Sequence, residues 1–553
     1  MENYLVEIPL SNRARREMKR EKSPLSNERL DGMFGAFFAD KHDFDTNPNG
    51  FMNFCIAENT LCYDLLRGKL ECDPNIKQSL TQYSEFGGIN TFRQAIANLL
   101  EHKIFRCESG DVDPKQIIVG SGCTSLLEAL FYGLCDSGDS IIIPSPMYPS
   151  FVHDARMRAN VKIEPASMTI DDGLGNIRFA LRMDKFDEAW KKVEAEGGKV
   201  KAVLLCNPNN PTGQLFSSDE LLELIEWCRV RQIHLISDEI YALSTFSTSN
   251  HFVSAYNVVN GRMGDNIHII SGFSKDFCLN GYRAGYIYSQ NNNLVNYIKQ
   301  ISPFFTCSNA VQSILTNILT DKPFLSSFIH SNQARLKSAY TKTICYLKEA
   351  GIPYVESQGG MFLLLDMRCC MAEITFEEEM RVWDALYDAK VLVNPGWTFH
   401  NDHSWLEIQK DVDKRGILTF MAFTSIYDNK ANVLEAFIQS LQVKPKENSR
   451  SLILTNNTVA EKSSSKKEVA PDYLIIFDDL SNELKDPSIT KLMKIQRHFS
   501  TKIIISTQSW TDSSSHIRKE IYSFSTKEKY HFLYTIRNGD YRKDFNLQLE
   551  IKI

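Results

Sequence analysis

One lysine and one arginine stand where their types and spacing could do chemistry. They are Ser274-Lys275 and Gly281-Tyr282-Arg283-Ala284-Gly285, within the run IISGFSKDFCLNGYRAG. A lysine in a polar turn at the end of an apolar strand can be desolvated, which lowers its pKa and makes it a usable amine nucleophile. An arginine nearby presents a planar fork suited to phosphate. Taken alone, the pair reads as well as a surface lysine and a salt-bridged arginine. Three further polar segments follow short apolar runs. Gly120-Ser121-Gly122-Cys123-Thr124 follows QIIV, Asn207-Pro208-Asn209-Asn210-Pro211-Thr212-Gly213 follows KAVLLC, and Asp238-Glu239-Ile240-Tyr241 follows HLIS. Polar groups at the carboxyl ends of strands sit where an open α/β sheet forms its binding crevice. Gly122-Cys123-Thr124 opening a helix would set backbone N–H groups and a positive helix end against a phosphate.

The elements that must position these groups show in the apolar pattern. Gln116–Gly120, Ser140–Ile143, Lys201–Cys206, His234–Ser237 and Ile267–Ser271 are brief runs rich in Val and Ile. They alternate with amphipathic segments such as Ser125–Cys135 and Ser218–Arg231. Strands that are nearly all apolar are buried on both faces, so the expected fold is α/β with a parallel or mixed sheet. Residues 325–350 read as a long helix and Gly360–Met367 as a strand after a Gly-Gly turn, which suggests a second, smaller α+β unit.

Composition bounds the rest. The 553 residues are 43% hydrophobic and 24% charged, which excludes a disordered, collagen-like or coiled-coil chain. At ~150 residues per domain the length predicts three or four units. A net charge of −6 supplies no global basic field for nucleic acid or an anionic membrane. All 13 cysteines fall between Cys55 and Cys370 without a C-x-x-C spacing, so reduced thiols in a cytoplasmic protein are expected. The opening run MENYLVEIPLSNRARREMKREK has charges where a signal peptide needs an apolar core. No apolar run approaches the ~20 residues of a membrane span.

Together, the four motifs resemble those of pyridoxal-phosphate (PLP) enzymes of the aspartate-aminotransferase fold, over residues 46–442. The resemblance implies that Lys275 forms the Schiff base and later moves the substrate's Cα proton. It implies that Asp238 pairs with the pyridine nitrogen, that Asn210 and Tyr241 hydrogen-bond the phenolic oxygen, and that Tyr148 stacks on the ring. Cys123, Thr124, Ser274 and Arg283 would hold the phosphate. A narrower similarity lies upstream. Asn47-Pro48-Asn49-Gly50 and MNFCIAENTLCYDLL from Met52 to Leu66 resemble the signature of 1-aminocyclopropane-1-carboxylate (ACC) synthases. Glu58 falls on that family's glutamate beside the substrate; a carboxylate there would face a cationic sulfonium such as that of S-adenosylmethionine. Residues Tyr83–Arg93 (YSEFGGINTFR) match the family's subunit-crossing segment, which implies a homodimer.

Three departures stand out. The family's crossing tyrosine lies two residues before the position of Gly88, where this chain has Phe86; Tyr83 occupies the place ordinary aminotransferases use. A phosphate-binding serine is replaced by Gly272, with Ser271 and Ser274 as candidates to cover for it. The arginine that clamps the substrate carboxylate has no clear counterpart. If Glu407–Ile417 is an insertion, its position falls on Thr419; otherwise Arg415 is the nearby candidate.

The resemblance implies a large domain at about 80–300 and a small domain from about 46–79 plus 301–442. An arm at 1–45, with one apolar patch at Met33–Phe38, precedes them, and a polar linker at 443–470 follows. From Val443 to Ile553 there are 19 Lys and Arg against 14 Asp and Glu, a basic tail on an acidic body. In that tail Tyr473–Leu480 (YLIIFDDL) and Lys502–Gln508 (KIIISTQ) resemble two strands of a viral packaging-type P-loop ATPase. No G-x-x-x-x-G-K-[ST] loop occurs, so a fragment without ATPase chemistry is expected at 471–553. The leading expectation is an ACC-synthase-like lyase, in which Lys275 takes the Cα proton of S-adenosylmethionine and methylthioadenosine leaves from Cγ. The alternatives are a transaminase using the same lysine and a catalytically weak PLP-fold scaffold.

Overall fold

The computed structural model describes residues 11, 28–43, 46–71, 78–171, 177–373, 375–399, 418–422, 473–477 and 501–505. Two compact units are present: 1–368 with 391–434, and 369–390 with 435–553. The first is built on a seven-stranded sheet. In chain order its strands are β1 (Ile117–Gly120), β2 (Ser140–Ser145), β3 (Lys162–Ser167), β4 (Val200–Cys206), β5 (His234–Asp238), β6 (Ile267–Gly272) and β7 (Gly285–Ser289). Their order across the sheet is β1-β7-β6-β5-β4-β2-β3. All neighbours run parallel except β7, which is antiparallel to β1 and β6. The sheet is therefore mixed. Every residue of β1, β2, β6 and β7 is buried, as strands covered on both faces require.

Sequence patterning missed two of these strands. β3 is an edge of the sheet: Lys162 is exposed, Ile163, Glu164, Pro165 and Ser167 are partly exposed, and Ala166 alone is buried. β7 (GYIYS) is short and opens on the glycine that closes the arginine motif.

Register brings the motifs to one edge. Gly120 pairs with Gly285 and Gly285 with Gly272. Cys206 pairs with Asp238, and Asp238 with Ile270. The chain thus leaves β1, β4, β5 and β6 on the same side of the sheet. The helix expected at Ser125–Cys135 spans Cys123–Leu134, and that at Ser218–Arg231 spans Ser218–Val230, opened by a capping box between Ser217 and Glu220.

Around the sheet lie further pieces of the same unit. The apolar patch near the start forms a helix, Glu28–Ala39, that buries Leu30, Met33 and Phe37. The long helix runs Lys322–Ala350, with Asp321 accepting the Phe324 N–H at its start and Gly351 left-handed at its end. Phe362–Asp366 pairs antiparallel with Leu418–Ala422, placing Thr419 opposite Leu365. Met52–Asn53 pairs in parallel with Val391–Leu392. The second unit contains a helix, Phe376–Asp388, and a parallel pair, Tyr473–Phe477 with Thr501–Ile505. Asp478 and Asp479 lie outside the described residues, as does Glu407–Ile417 with Arg415.

Candidate active site

The turn after β6 holds Lys275 through its neighbours. Phe273 and Phe277 flank it in sequence and are 0% and 1% exposed. Phe277 stacks on Phe328 of the long helix, centroids 5.9 Å apart. Asp276 accepts hydrogen bonds from the Leu243 N–H at 2.9 Å and the Ser244 hydroxyl at 2.7 Å. With both ends pinned, the lysine points the other way, and its Nζ donates to the Ala57 carbonyl at 2.7 Å. Burial pulls the ammonium down to a pKa of about 8, with Glu58 opposing as the largest favourable charge. An amine poised there is free base far more often near neutrality than an ordinary lysine, roughly a tenth of the time at pH 7.

Asp238 ends β5 and is 5% exposed. Its Oδ1 accepts the Ile240 N–H at 3.2 Å, and Lys275 attracts it, yet burial pushes its carboxyl up to about 7. Among the described residues Asp238 forms no ion pair. Tyr241, three residues on, is fully buried, and burial keeps its hydroxyl protonated and able to donate. It meets Asn210 Nδ2 at 3.4 Å. The loop carrying Asn210 is tied to itself, Asn209 Oδ1 accepting from the Thr212 hydroxyl at 2.8 Å. Asn210 is 5% exposed, and its Oδ1 has no partner among the described residues.

A second cradle forms where β1, β6 and β7 meet. Gly122 caps the helix Cys123–Leu134 with φ +91°. A Cβ there would lie 2.6 Å from Arg283 Nη2, and one on Gly285 would lie 3.0 Å from the Cys123 nitrogen. The glycines thus let the guanidinium rest against a helix N-terminus whose first N–H groups, those of Cys123 and Thr124, have no partner within the helix. Arg283 itself is left-handed at φ +50°, and Nη1 donates to the Asn280 carbonyl at 3.1 Å. Among the described residues it has no carboxylate partner. Asp238, Arg283 and Lys275 all act on the Cys123 thiol, which burial holds un-ionised. Asp238 and Arg283 also act on Tyr148, whose ring packs edge-on to Phe151 and is 39% exposed.

The structure therefore gathers Lys275, Asp238, Asn210, Tyr241, Cys123, Thr124, Tyr148 and Arg283 at one sheet edge, with Glu58 beside the lysine. Ser274 is half-buried at the same strand end, whereas the Ser271 hydroxyl turns inward to the Glu239 carbonyl at 3.2 Å. Of the two candidates to replace the missing serine, only Ser274 remains on this edge. Tyr83 and Phe86 are not brought in: they are 105% and 56% exposed. Two features escaped the sequence reading. The Ala57 carbonyl is one, and Asp154 is the other, a 5% exposed carboxyl whose Oδ2 has no hydrogen-bond partner among the described residues. Its aspartate carries no motif, and only packing reveals it.

These groups fit pyridoxal phosphate. The buried carboxyl of Asp238, with no ion pair among the described residues, suits a pyridinium, the Asn210 amide and the Tyr241 hydroxyl suit a phenolic oxygen, and Arg283, with no carboxylate partner among the described residues and set at a helix N-terminus, suits a phosphate.

The chain belongs to the aminotransferase class I and II family, whose profile matches residues 52–417. It is a PLP-dependent enzyme with the aspartate-aminotransferase fold. Thermus thermophilus aspartate aminotransferase superposes with a TM-score of 0.60 at 19% identity, over 79% of this chain and 99% of that one. Among curated relatives it is similar to the ACC synthase-like protein 1 of Mus musculus, 31% identical over 73% of this chain and 81% of the relative. ACC synthase 9 of Arabidopsis thaliana is 32% identical over 67% and 81%. A mouse protein described as a probable inactive ACC synthase-like protein 2 is 30% identical over 68% of each chain.

Proposed function

We propose that this chain is an ACC-synthase-like lyase acting on S-adenosylmethionine or a related amino acid. The observation that carries the reading is the meeting of Lys275 with the Ala57-Glu58 segment, through the 2.7 Å bond from Nζ to the Ala57 carbonyl. It sets the proton-moving amine beside a carboxylate suited to a sulfonium. Pyridoxal phosphate, when bound, withdraws electrons from the substrate's Cα. Lys275 holds the cofactor and carries the Cα proton. Asp238 keeps the ring nitrogen charged, Asn210 and Tyr241 orient the phenolic side, and Tyr148 covers the ring. Cys123, Thr124, Ser274 and Arg283 bind the phosphate, and Glu58 orients the substrate's cationic end.

The exposed rings of Tyr83 and Phe86 support a homodimer in which this segment serves the partner copy. A transaminase is the second reading, favoured because Tyr83 carries the hydroxyl that Phe86 lacks. The tail from 471 is an ATPase-like fragment without nucleotide chemistry, a reading supported by its parallel strand pair and the missing phosphate loop. Incubating the full chain with PLP and S-adenosylmethionine, then with amino and keto acids, tests the assignment. Release of methylthioadenosine supports the lyase. Amino transfer without it supports the transaminase and overturns the first reading.

A further inference from the structure

Of the 13 cysteines, Cys369 and Cys370 are the one adjacent pair. They close a single 3-10 turn, Met367–Cys370, and both carry thiols. Adjacent residues can send their side chains apart, yet here the two Sγ atoms lie 3.7 Å from each other, in contact. The two thiols are not equivalent. Cys369 is exposed, whereas Cys370 is 5% exposed. The Cys370 backbone is held from the helix Phe376–Asp388, where Arg381 Nη2 donates to its carbonyl at 3.3 Å. Arg381 is gripped in turn by Glu378, through Nε at 2.8 Å and Nη2 at 2.7 Å. Among the described residues no three His, Cys, Asp or Glu side chains gather as a metal site, so the pair acts as a dithiol.

We propose that Cys369 and Cys370 form a redox modification site, at which a low-molecular-weight disulfide converts the two thiols into a reversible Cys369–Cys370 disulfide. Exposure assigns the order. Cys369, open to solvent, gives up its proton and attacks one sulfur of the incoming disulfide. A bond forms from Cys369 Sγ to that sulfur, the incoming disulfide bond breaks, and one small thiolate leaves. Cys370 then gives up its proton and attacks Cys369 Sγ from the contact it already makes. The Sγ–Sγ bond forms, the adduct bond breaks, and the second small thiolate leaves. The protein pair loses two electrons and the small disulfide gains them, while the two released protons end on the two small thiols. Burial keeps Cys370 from meeting the small disulfide directly, so it is the resolving thiol.

Adjacency makes the bond reversible. Neighbouring α-carbons across a trans peptide lie about 3.8 Å apart, inside the roughly 4.4–6.8 Å that disulfides usually span. Closing the ring therefore works against the backbone between the two residues, and a disulfide held in an unfavourable frame is the labile kind. The site is a switch rather than a staple: a small disulfide closes it and a small thiol opens it again.

The test incubates the full chain with oxidised glutathione at about pH 8, where an ordinary thiol is partly thiolate. The remaining thiols are then alkylated, and the mass of the peptide carrying both cysteines is read. The closed form, two hydrogens lighter than the dithiol, should outnumber the Cys369–glutathione adduct at least ~10-fold, because the second step is intramolecular. Cys345, exposed on the helix Lys322–Ala350 between Ile344 and Tyr346, has no cysteine beside it in sequence and should keep its adduct. Two alkylated cysteines at 369 and 370, or an adduct that persists on Cys369 as on Cys345, would overturn the proposal. In Cys370→Ser the adduct should accumulate on Cys369. In Cys369→Ser glutathione should reach Cys370 at least ~10-fold more slowly than it reaches Cys369 in wild type, and equal rates refute the assigned order. Reduced glutathione added to the closed wild-type chain should restore both thiols, and a ring that survives it refutes the switch. Should either variant fail to fold, phenylarsine oxide, which bridges neighbouring thiols, serves on the wild type. It should shield both cysteines from alkylation, and alkylation of both refutes the sulfur contact.

Discussion

The cofactor wall and the substrate side of this site are built in opposite ways. The proposed wall comes from the ends of β1, β4, β5 and β6, which β-sheet register carries to one edge, each group within a few residues of a strand. The proposed substrate side draws on segments far apart in the chain: Glu58, the Tyr83–Phe86 stretch proposed to serve a partner copy, and the Phe362–Asp366 strand with its partner Leu418–Ala422. A local motif survives drift elsewhere because the strand that aims it is buried on both faces. A distributed one depends on every contributing segment, and here the departures from the family pattern fall chiefly on that side.

The sharpest test of the wall is Lys275→Ala. Loss of the proton-moving amine should reduce turnover by roughly 10²- to 10⁴-fold. It should also abolish the absorbance near ~420 nm that the cofactor gains when joined to a lysine. An unchanged spectrum removes Lys275 from the site. Phe277→Ala strikes the support beneath the same turn. Losing a buried phenyl ring that stacks on Phe328 should cost about 3–5 kcal/mol of unfolding free energy. A loss below ~1 kcal/mol in denaturant titration would mean that the turn is held otherwise.

On the substrate side, deleting Glu407–Ile417 and introducing Thr419→Arg should restore a carboxylate clamp. A gain of roughly 2–5 kcal/mol in amino-acid binding, read by spectral titration, is expected. If affinity stays flat while Arg415→Ala loses it, Arg415 is the clamp. The smallest effect concerns Glu58→Gln. Removing the charge that pulls the lysine's pKa upward should move the pH midpoint for PLP capture to lower pH, by less than about one unit. A shift to higher pH would place Glu58 elsewhere.

The same contrast explains what could be read in advance. Lys275, Asp238, Asn210, Tyr241 and Arg283 sit where spacing from an apolar run places them, because a strand end is a local event. Asp154 could not be seen that way. PSPMYPSFVHDAR offers an aspartate in a polar stretch, and only the packing of a short helix buries it. The inward turn of Ser271 is likewise a matter of side-chain direction, since adjacent strand residues point to opposite faces. β3 escaped notice because an edge strand tolerates Lys, Glu and Pro, and those residues dilute the apolar signal. Tyr83 and Phe86 matched a motif, yet within one chain they stand 105% and 56% exposed.

Asn332, midway along the helix Lys322–Ala350, has a single carboxamide with two allegiances. Its oxygen accepts from Asn59 at 2.8 Å, and its nitrogen donates to the Asp276 carbonyl at 3.4 Å. The segment that carries Glu58 and the turn that carries Lys275 are therefore joined twice, through this amide and through the Lys275–Ala57 bond, so a displacement of one is passed to the other.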